Sequence, residues 1–465
     1  MSSVDLLTLA QRGTIHFMGI GGAGMSALAH ALIRSGARVT GCDLHATSAQ
    51  ALLGDRVQVS PRHDPAHVAD AAAVVVTSAV PQSHPELQAA RDRGIPVLKR
   101  AQALGAFVNS GTVLAVAGTH GKTTTTAMLT TILDAADLDP TAFVGGRVNA
   151  WGGGLRSGAS RLFVVEADEY DRSFLTLQPN AVAVTSVEAD HMDIYGTIEA
   201  IHDAFRELLA RVPADGVIAL CADDEGASSL LPAGDARVLR YGTRSYAGLR
   251  AVDIAPSGSS TRFNVQLNDE PLGPVTLGVP GLHNVRNALA AIALAMHVGA
   301  PFDAVQRALP TFGGVARRFQ VVGTARGVTF VDDYAHHPTE IVATLAAARS
   351  VYPGRRIIAV FQPHLYSRTR DLAAEFGYAL AQADGVWVTD VYAAREEPLE
   401  GVSGELIVNA ARRAGADGVH YVRTLVDLQV ELARVLAHDD VCIGMGAGDI
   451  DTAIRAVYAR FVEAA

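Results

Sequence analysis

A chain of 465 residues with 49% apolar and 18% charged residues can bury several cores and is no disordered tract. Its formal net charge of −10 speaks against nucleic acid or an acidic membrane surface as a partner, and no apolar run reaches the ~18 residues that span a bilayer. Cys42, Cys221 and Cys442 form neither a disulfide framework nor a cysteine-rich metal motif, and MSSVDLLTLAQRG lacks the parts of a signal peptide, so a cytoplasmic location is expected.

Short β-branched runs alternate with Ala/Leu-rich stretches, the pattern of parallel sheets covered by helices. TIHFMGI reads as a buried strand, AGMSALAHALIRSG as a helix, and ARVTGCD, AAAVVVTSAV and IPVLKR as further strands. TVLAVAGT, RLFVVEAD, AVAVTSV and GVIALCA are the strands of a second segment. Between about Val252 and Val279, alternation such as Arg262-Phe263-Asn264-Val265 predicts an antiparallel hairpin or small sheet, and VRNALAAIALAMHVG then reads as a helix. A third segment opens at PTFGGVARRFQVVG, where Gly313-Gly314 before Arg317-Arg318 reads as a hinge; RIIAVFQ, GVWVTDV and VCIGMGA are its strands. The expected fold class is α/β in three domains. Residues 1–108 are Rossmann-like, 109–314 form a mononucleotide-binding domain of P-loop type with a small antiparallel sheet, and 315–465 are again Rossmann-like.

The chemistry concentrates in glycine loops and strand ends. TVLAVAGTHGKTTTTAMLTTILDAA is strand, glycine loop and helix. In Gly118-Thr119-His120-Gly121-Lys122-Thr123-Thr124 the backbone N–H groups can close around phosphate oxygens, Lys122 can reach the β/γ-phosphates of ATP, and the Thr123 hydroxyl can ligate Mg²⁺. Val116 replaces the first glycine of the eight-residue pattern, leaving a shorter G-T-x-G-K-T-T loop. Of 38 basic residues only Lys99 and Lys122 are lysines, and one of the two sits in this loop, where a slim cation is needed. Gly19, Gly21 and Gly24 form a second glycine loop, with Asp43 closing the next strand. That pattern asks for a diphosphate on a helix N-terminus and an acid near a ribose or base, which NAD and a UDP-sugar satisfy equally.

Acids follow the central loop. One strand ends in Glu166, Asp168, Glu169 and Asp171, another in Glu188, Asp190, His191 and Asp193. Glu166 and His191 are the candidates to hold Mg²⁺ and orient an acceptor; the others read mostly as solvated loop acids and caps. In the third segment Asp332, Asp333, Tyr334, His336 and His337 end one strand and His364, Tyr366, Arg368 and Arg370 end another. These are expected to be neighbouring strands whose loops converge, with arginines suited to a carboxylate or phosphate.

Taken together the motifs resemble the Mur ligase family, in its alanine-adding type, over essentially the whole chain. The resemblance rests on HFMGIGGAGM (His16–Met25), TSAV (Thr77–Val80), AGTHGKTTT (Ala117–Thr125), EADEYD (Glu166–Asp171), EADHMD (Glu188–Asp193), GLHNVRNALAA (Gly281–Ala291), GVARRFQ (Gly314–Gln320), DDYAHHPTE (Asp332–Glu340), FQPHLYSRT (Phe361–Thr369) and YAAREEP (Tyr392–Pro398). It implies a UDP-sugar domain, an ATPase domain and a C-terminal domain that closes over ATP and the amino acid. It implies that ATP, UDP-N-acetylmuramate and L-alanine give ADP, phosphate and the amide through an acyl phosphate, with Mg²⁺, in a monomer or weak homodimer. By resemblance Lys122 would neutralise the transferring phosphoryl group, Thr123 and Glu166 would bind one Mg²⁺, and His191 a second. Asn284 and Asn287 would meet adenine, and Arg318 and Asp333 the rest of ATP. Gly21, Gly22, Asp43 and Ser78 would hold UDP, while Tyr334, His336, His364 and Arg368 would face alanine and the acyl phosphate. Three positions depart from the pattern: Leu365 where arginine is common, Ser186 where asparagine is common with little effect expected, and no lysine beyond Lys122 for the carbamylated lysine some siblings use.

Overall fold

The computed structural model describes residues 6–77 and 79–463. These fall into two compact units, one of residues 6–253, 263–276 and 286–312, the other of 254–262, 277–285 and 313–463. The chain builds three sheets. The first holds β1 (Thr14–Met18), β2 (Val39–Cys42), β3 (Gln58–Ser60), β4 (Ala71–Val76) and β5 (Val97–Lys99), all parallel, in the order β3-β2-β1-β4-β5. The order reverses beside β1, so the Gly19 loop leaves the sheet at its switch point, where open α/β sheets bind ligands.

The second sheet has ten strands: β6 (Thr112–Ala117), β7 (Thr141–Val148), β8 (Gly153–Arg156), β9 (Leu162–Glu166), β10 (Ala181–Val184), β11 (Val217–Cys221), β12 (Arg237–Gly242), β13 (Leu249–Ser257), β14 (Ser260–Leu267) and β15 (Glu270–Leu277). Their order is β15-β14-β13-β12-β11-β10-β6-β9-β7-β8. β6 lies between β9 and β10, parallel to both. Its carboxyl end therefore sits between the two acidic strand ends. β9 and β10 are continuous apolar runs because helices cover both faces. The helix Lys122–Ala135 is buried nearly all round, which its small Thr and Ala side chains allow. The expected antiparallel element is a three-strand meander, β13 to β15. Its two-residue links can join only antiparallel strands, and Gly258, Asn268 and Asp269 supply the positive φ such turns need. β7, β8 and β12 escape a sequence reading, the first two because glycines interrupt their apolar pattern.

The third sheet contains β16 (Gln320–Ala325), β17 (Val328–Asp333), β18 (Ile357–Phe361), β19 (Gly385–Val388), β20 (Val419–Tyr421) and β21 (Val441–Met445), ordered β16-β17-β21-β18-β19-β20. β16 is antiparallel to β17 and the rest are parallel. One expectation is corrected here. β17 and β18 are not neighbours, because the last strand of the chain, β21, is inserted between them. Their polar ends still share one edge, since all three strands run the same way.

Phe174 and Phe205 are fully buried with ring centroids 5.3 Å apart, edge to face. Phe174 lies in the turn Tyr170–Thr176, and its N–H donates to the Asp168 carbonyl at 2.9 Å. The aromatic pair thus anchors the acidic segment after β9. Phe205→Ala should cost about 3–5 kcal/mol of stability in urea unfolding and speed amide exchange over residues 168–176. Exchange confined to other segments would show that the turn is anchored elsewhere.

Candidate active site

The central glycine loop is shaped by what a side chain would strike. Gly118 has φ +133°, and a Cβ there would run into the Thr185 hydroxyl. Gly121 has φ +82°, and a Cβ there would meet the amide of Asn287. The loop is clipped to the end of β10 by three bonds. Thr119 N–H donates to the Ser186 carbonyl (2.9 Å), His120 N–H to the Ser186 hydroxyl (2.9 Å), and Glu188 N–H to the Thr119 hydroxyl (2.9 Å). Ser186 is thus a loop clip, a role the sequence comparison left unassigned. Thr124 follows in the first helical turn, 8% exposed.

Lys122 folds back over this loop. Its ammonium donates to the carbonyls of Gly118 (2.6 Å) and Thr119 (3.1 Å) and pairs with Glu169 at 2.8 Å. Burial opposes its charge, but Glu169, Asp168 and Glu166 outweigh that and hold its pKa above the ordinary lysine value. The Thr123 hydroxyl donates to Glu166 Oε1 at 2.9 Å, while Glu166 Oε2 accepts the Gly145 N–H at 2.6 Å. His191, held at φ +54°, puts Nε2 3.7 Å from Glu169 and 3.9 Å from Asp190. Lys122, Thr123, Glu166 and His191 are therefore gathered as the sequence implies. Glu169 is the surprise: it is 3% exposed, not a solvated loop acid. Nothing in EADEYD distinguishes it from its neighbours; only the fold turns it inward.

At the first sheet Gly19 has φ +78°, and Gly21 donates its N–H to Asp43 Oδ2 at 2.8 Å. Asp43 Oδ1 accepts the His45 N–H at 2.8 Å, so one oxygen braces the loop and the other fixes the acid's own turn. Gly22 caps the following helix. Ser78 lies outside the described residues. Arg100, which sequence reasoning missed, lies against Gly24 and lines a cavity of about 330 Å³ together with Gly145, Glu166 and Asp168. One cavity thus joins the edge of the N-terminal glycine loop to the acids of the phosphate loop.

In the second unit, the backbone N–H groups of Phe319 and Ala335 donate to Asp333 at 2.7 and 2.8 Å. Arg318 lies over the Tyr334 ring, 5.1 Å from its centroid, and pairs with Glu340 at 3.3 Å. His336 Nδ1 donates to the Tyr334 carbonyl (2.9 Å), and its ring stands 6.0 Å from that of His364. His364 stacks on Tyr392. Burial, helped by His336 and Arg368, lowers its pKa to about 4, so the ring is neutral near pH 7. Its Nδ1 is buried without a hydrogen-bond partner among the described residues. Tyr334, His336, His364 and Arg368 are accordingly brought together. Asn284 and Asn287 are both buried, one turn apart on the helix Leu282–His297, with Asn284 donating to the Pro280 carbonyl at 2.7 Å.

Three Mur ligase models match the chain in order: the family's catalytic domain over residues 14–112, its middle domain over 116–295 and its glutamate ligase domain over 317–448. The UDP-N-acetylmuramate–L-alanine ligase of Sorangium cellulosum is 45% identical over 451 residues, 96% of each chain. The chain belongs to the Mur ligase family. Its structure resembles that of the UDP-N-acetylmuramate–alanine ligase of Thermotoga maritima, with TM-score 0.80 and 30% identity over 97% of this chain and 100% of that one. A murein peptide ligase of Psychrobacter arcticus gives TM-score 0.68 and 26% identity, covering 97% and 98%. The three α/β domains expected from the sequence are those of this family.

Asp333 provides a pH test. Burial raises its pKa from 3.8 to about 6, against the pull of Arg318 and two backbone N–H groups. Protonation is thus easier in the folded chain than in the unfolded one. Its stabilising contribution is complete below about pH 4 and is lost as pH rises through about 6. Between those limits the wild type should lose about 3 kcal/mol relative to Asp333→Asn, which cannot titrate. Parallel pH dependences of the two urea midpoints would contradict this.

Proposed function

We propose that this chain is an ADP-forming ligase that joins L-alanine to the carboxylate of UDP-N-acetylmuramate, a step of peptidoglycan precursor synthesis. One observation carries the reading: at one sheet edge Thr123 bonds Glu166 and Lys122 pairs with Glu169, and Glu166 lines a cavity with Gly24 of the N-terminal glycine loop and Arg100. The named relatives of this family support the substrates. Residues 1–108 form the UDP-sugar domain in this reading, 109–314 the ATPase domain and 315–465 the domain for the amino acid. The enzyme is cytoplasmic and monomeric or weakly dimeric. Among the described residues no helix is long and apolar enough to cross a membrane.

A carboxylate resists attack by an amine, so it is first activated. Its oxygen attacks the γ-phosphorus, the bond to ADP breaks, and an acyl phosphate results. The neutral amine of alanine then attacks the acyl carbon. The tetrahedral oxyanion collapses, phosphate leaves, and the nitrogen gives up a proton. The protein's task is mainly charge compensation and positioning. Lys122 turns from Glu169 towards the transferring phosphoryl group, while the loop N–H groups not tied to Ser186, those of Gly121 to Thr124, line the phosphates. Asn284 and Asn287 take adenine, and Arg318 and Asp333 the rest of ATP.

The donor set fits Mg²⁺. Two oxygen ligands at right angles on 2.0–2.1 Å bonds lie about 2.9 Å apart, the observed separation of Thr123 Oγ1 and Glu166 Oε1. His191, with Asp190 and Glu169 near its Nε2, would hold a second ion. Bound there, magnesium supplies charge neutralisation at the phosphate oxygens. Gly21 and Gly22 hold the UDP, Ser78 is assigned to it by the family resemblance, and Asp43 acts by holding Gly21. Arg368 takes the alanine carboxylate. His364, neutral, is a hydrogen-bonding partner. His336, whose Nδ1 donates to the Tyr334 carbonyl, faces the incoming amino group.

Phosphate release with UDP-N-acetylmuramate, ATP and a panel of L-alanine, L-serine, glycine and tripeptide tests this reading. L-alanine should lead, and a tripeptide that greatly outperforms it would make the chain a peptide ligase instead. Lys122→Ala should lower kcat by about 10³-fold or more while the affinity for the UDP-sugar stays nearly unchanged. Near-normal turnover would remove Lys122 from the chemistry.

A further inference from the structure

A second cluster of ligating side chains lies beneath the N-terminal glycine loop, and the ligase chemistry makes no use of it. His16 comes from β1, Cys42 from β2, His67 from the short turn Pro65–Val68, and Glu86 from the helix Pro85–Asp92. One ligand atom from each lies within 4.8 Å of all the others. His16, Cys42 and Glu86 are buried, and His67 is partly exposed, which opens a route from solvent. A carboxylate with no exposure, surrounded by imidazoles and a thiol, is the arrangement expected around a cation.

The spacings decide what kind of cation. Tetrahedral ligands on zinc bonds of about 2.0–2.3 Å lie about 3.3–3.7 Å from one another. Here Glu86 Oε1 is 3.0 Å from His16 Nε2 and 3.1 Å from His67 Nδ1. Cys42 Sγ is 3.7 Å from His16 Nε2 and 3.8 Å from Glu86 Oε1. These four spacings are within a few tenths of an ångström of that range and the remaining pairs lie within 4.8 Å, so a modest movement of the partly exposed His67 would complete a tetrahedron of two nitrogens, one sulfur and one oxygen. That donor set suits zinc and excludes magnesium and calcium, which take oxygen ligands. An outer shell is in place as well. The Thr40 hydroxyl bonds His16 Nδ1 at 2.9 Å, and His63 Nδ1 lies 3.0 Å from both Cys42 Sγ and Glu86 Oε2.

We propose that His16, Cys42, His67 and Glu86 bind one zinc-class divalent ion, with Cys42 as thiolate and its proton released to solvent, and that this ion braces the Gly19–Gly24 loop. The brace acts through the backbone. The Cys42 carbonyl accepts the N–H groups of Gly19 (2.8 Å) and Ile20 (3.2 Å), and its neighbour Asp43 accepts that of Gly21.

The test uses the full chain, stripped with a chelator and titrated with Co(II) and then Zn(II). One cobalt per chain should give a sulfur-to-cobalt charge-transfer band that zinc bleaches. The acids around Lys122 contain no sulfur and cannot produce that band. Cys42→Ser should abolish it. His67→Asn, at a partly exposed site where folding is not at risk, should weaken zinc binding about 10-fold or more. Zinc should also slow amide exchange across residues 19–24. No thiolate band at saturating cobalt, or a band unchanged in Cys42→Ser, would overturn the site and leave the cluster a hydrogen-bonded network around Glu86. Zinc binding without slower exchange at 19–24 would overturn the brace.

Discussion

An ammonium as little exposed as that of Lys122, 13%, needs a counter-charge, and Glu169 supplies it at 2.8 Å. Much of the central site follows from that pair. Glu169 must be turned inward, so the chain after β9 makes a tight turn, with Asp171 and Arg172 both in the left-handed region. The Tyr195 hydroxyl donates to the Glu169 carbonyl at 2.6 Å, and Phe174 packs on Phe205 beneath it. His191 then meets the outer side of the same carboxylate. In the proposed reaction this cation exchanges one anion for another, so it must be held loosely enough to move. Carbonyls of its own loop and one carboxylate meet that need better than a dense ion-pair network would.

The second constraint is directional. Parallel strands deliver every connection of one hand to one edge, so residues far apart in sequence meet without long excursions. β6, β9 and β10 bring residues 118–124, 166–171 and 185–191 together in this way. In the third sheet the same rule survives the insertion of β21 between β17 and β18, because all three strands run in one direction. At this edge the aromatic and imidazole rings of Tyr334, His336, His364 and Tyr392 pack in series. Such packing keeps His364 neutral, and a neutral ring donates or accepts a hydrogen bond without repelling the arginines nearby.

Both glycine loops use the same backbone chemistry with different supports. Gly21 leans on the Asp43 carboxylate, whereas the central loop hangs from β10 through Ser186 and Glu188. In each case donors that would otherwise wander are tied by one or two bonds, and the remaining N–H groups are left to face a ligand. The cavity bounded by Arg100 and Glu166 runs from Gly24 of the N-terminal loop to the acids at the end of β9.

The sequence by itself determined the α/β class, most strands and both glycine loops, and it singled out Lys122, Thr123, Glu166 and His191, which the fold brings near one another. These are local signals: an apolar run, a glycine at a positive φ, a helix start. It did not reveal β7 and β8, whose pattern is broken by Gly145, Gly146, Gly153 and Gly154. Nor did it set Glu169 apart from Asp168 and Asp171, since all three are acids of one loop and only packing decides which is buried. Arg100 and the cluster around Glu86 were hidden for a stronger reason. His16, Cys42, His67 and Glu86 belong to four separate elements with no motif spacing, and they come together only when the strands and helices of the first sheet pack. Tertiary structure alone decides which polar groups lose their water, and burial is what turns an ordinary acid or histidine into a site.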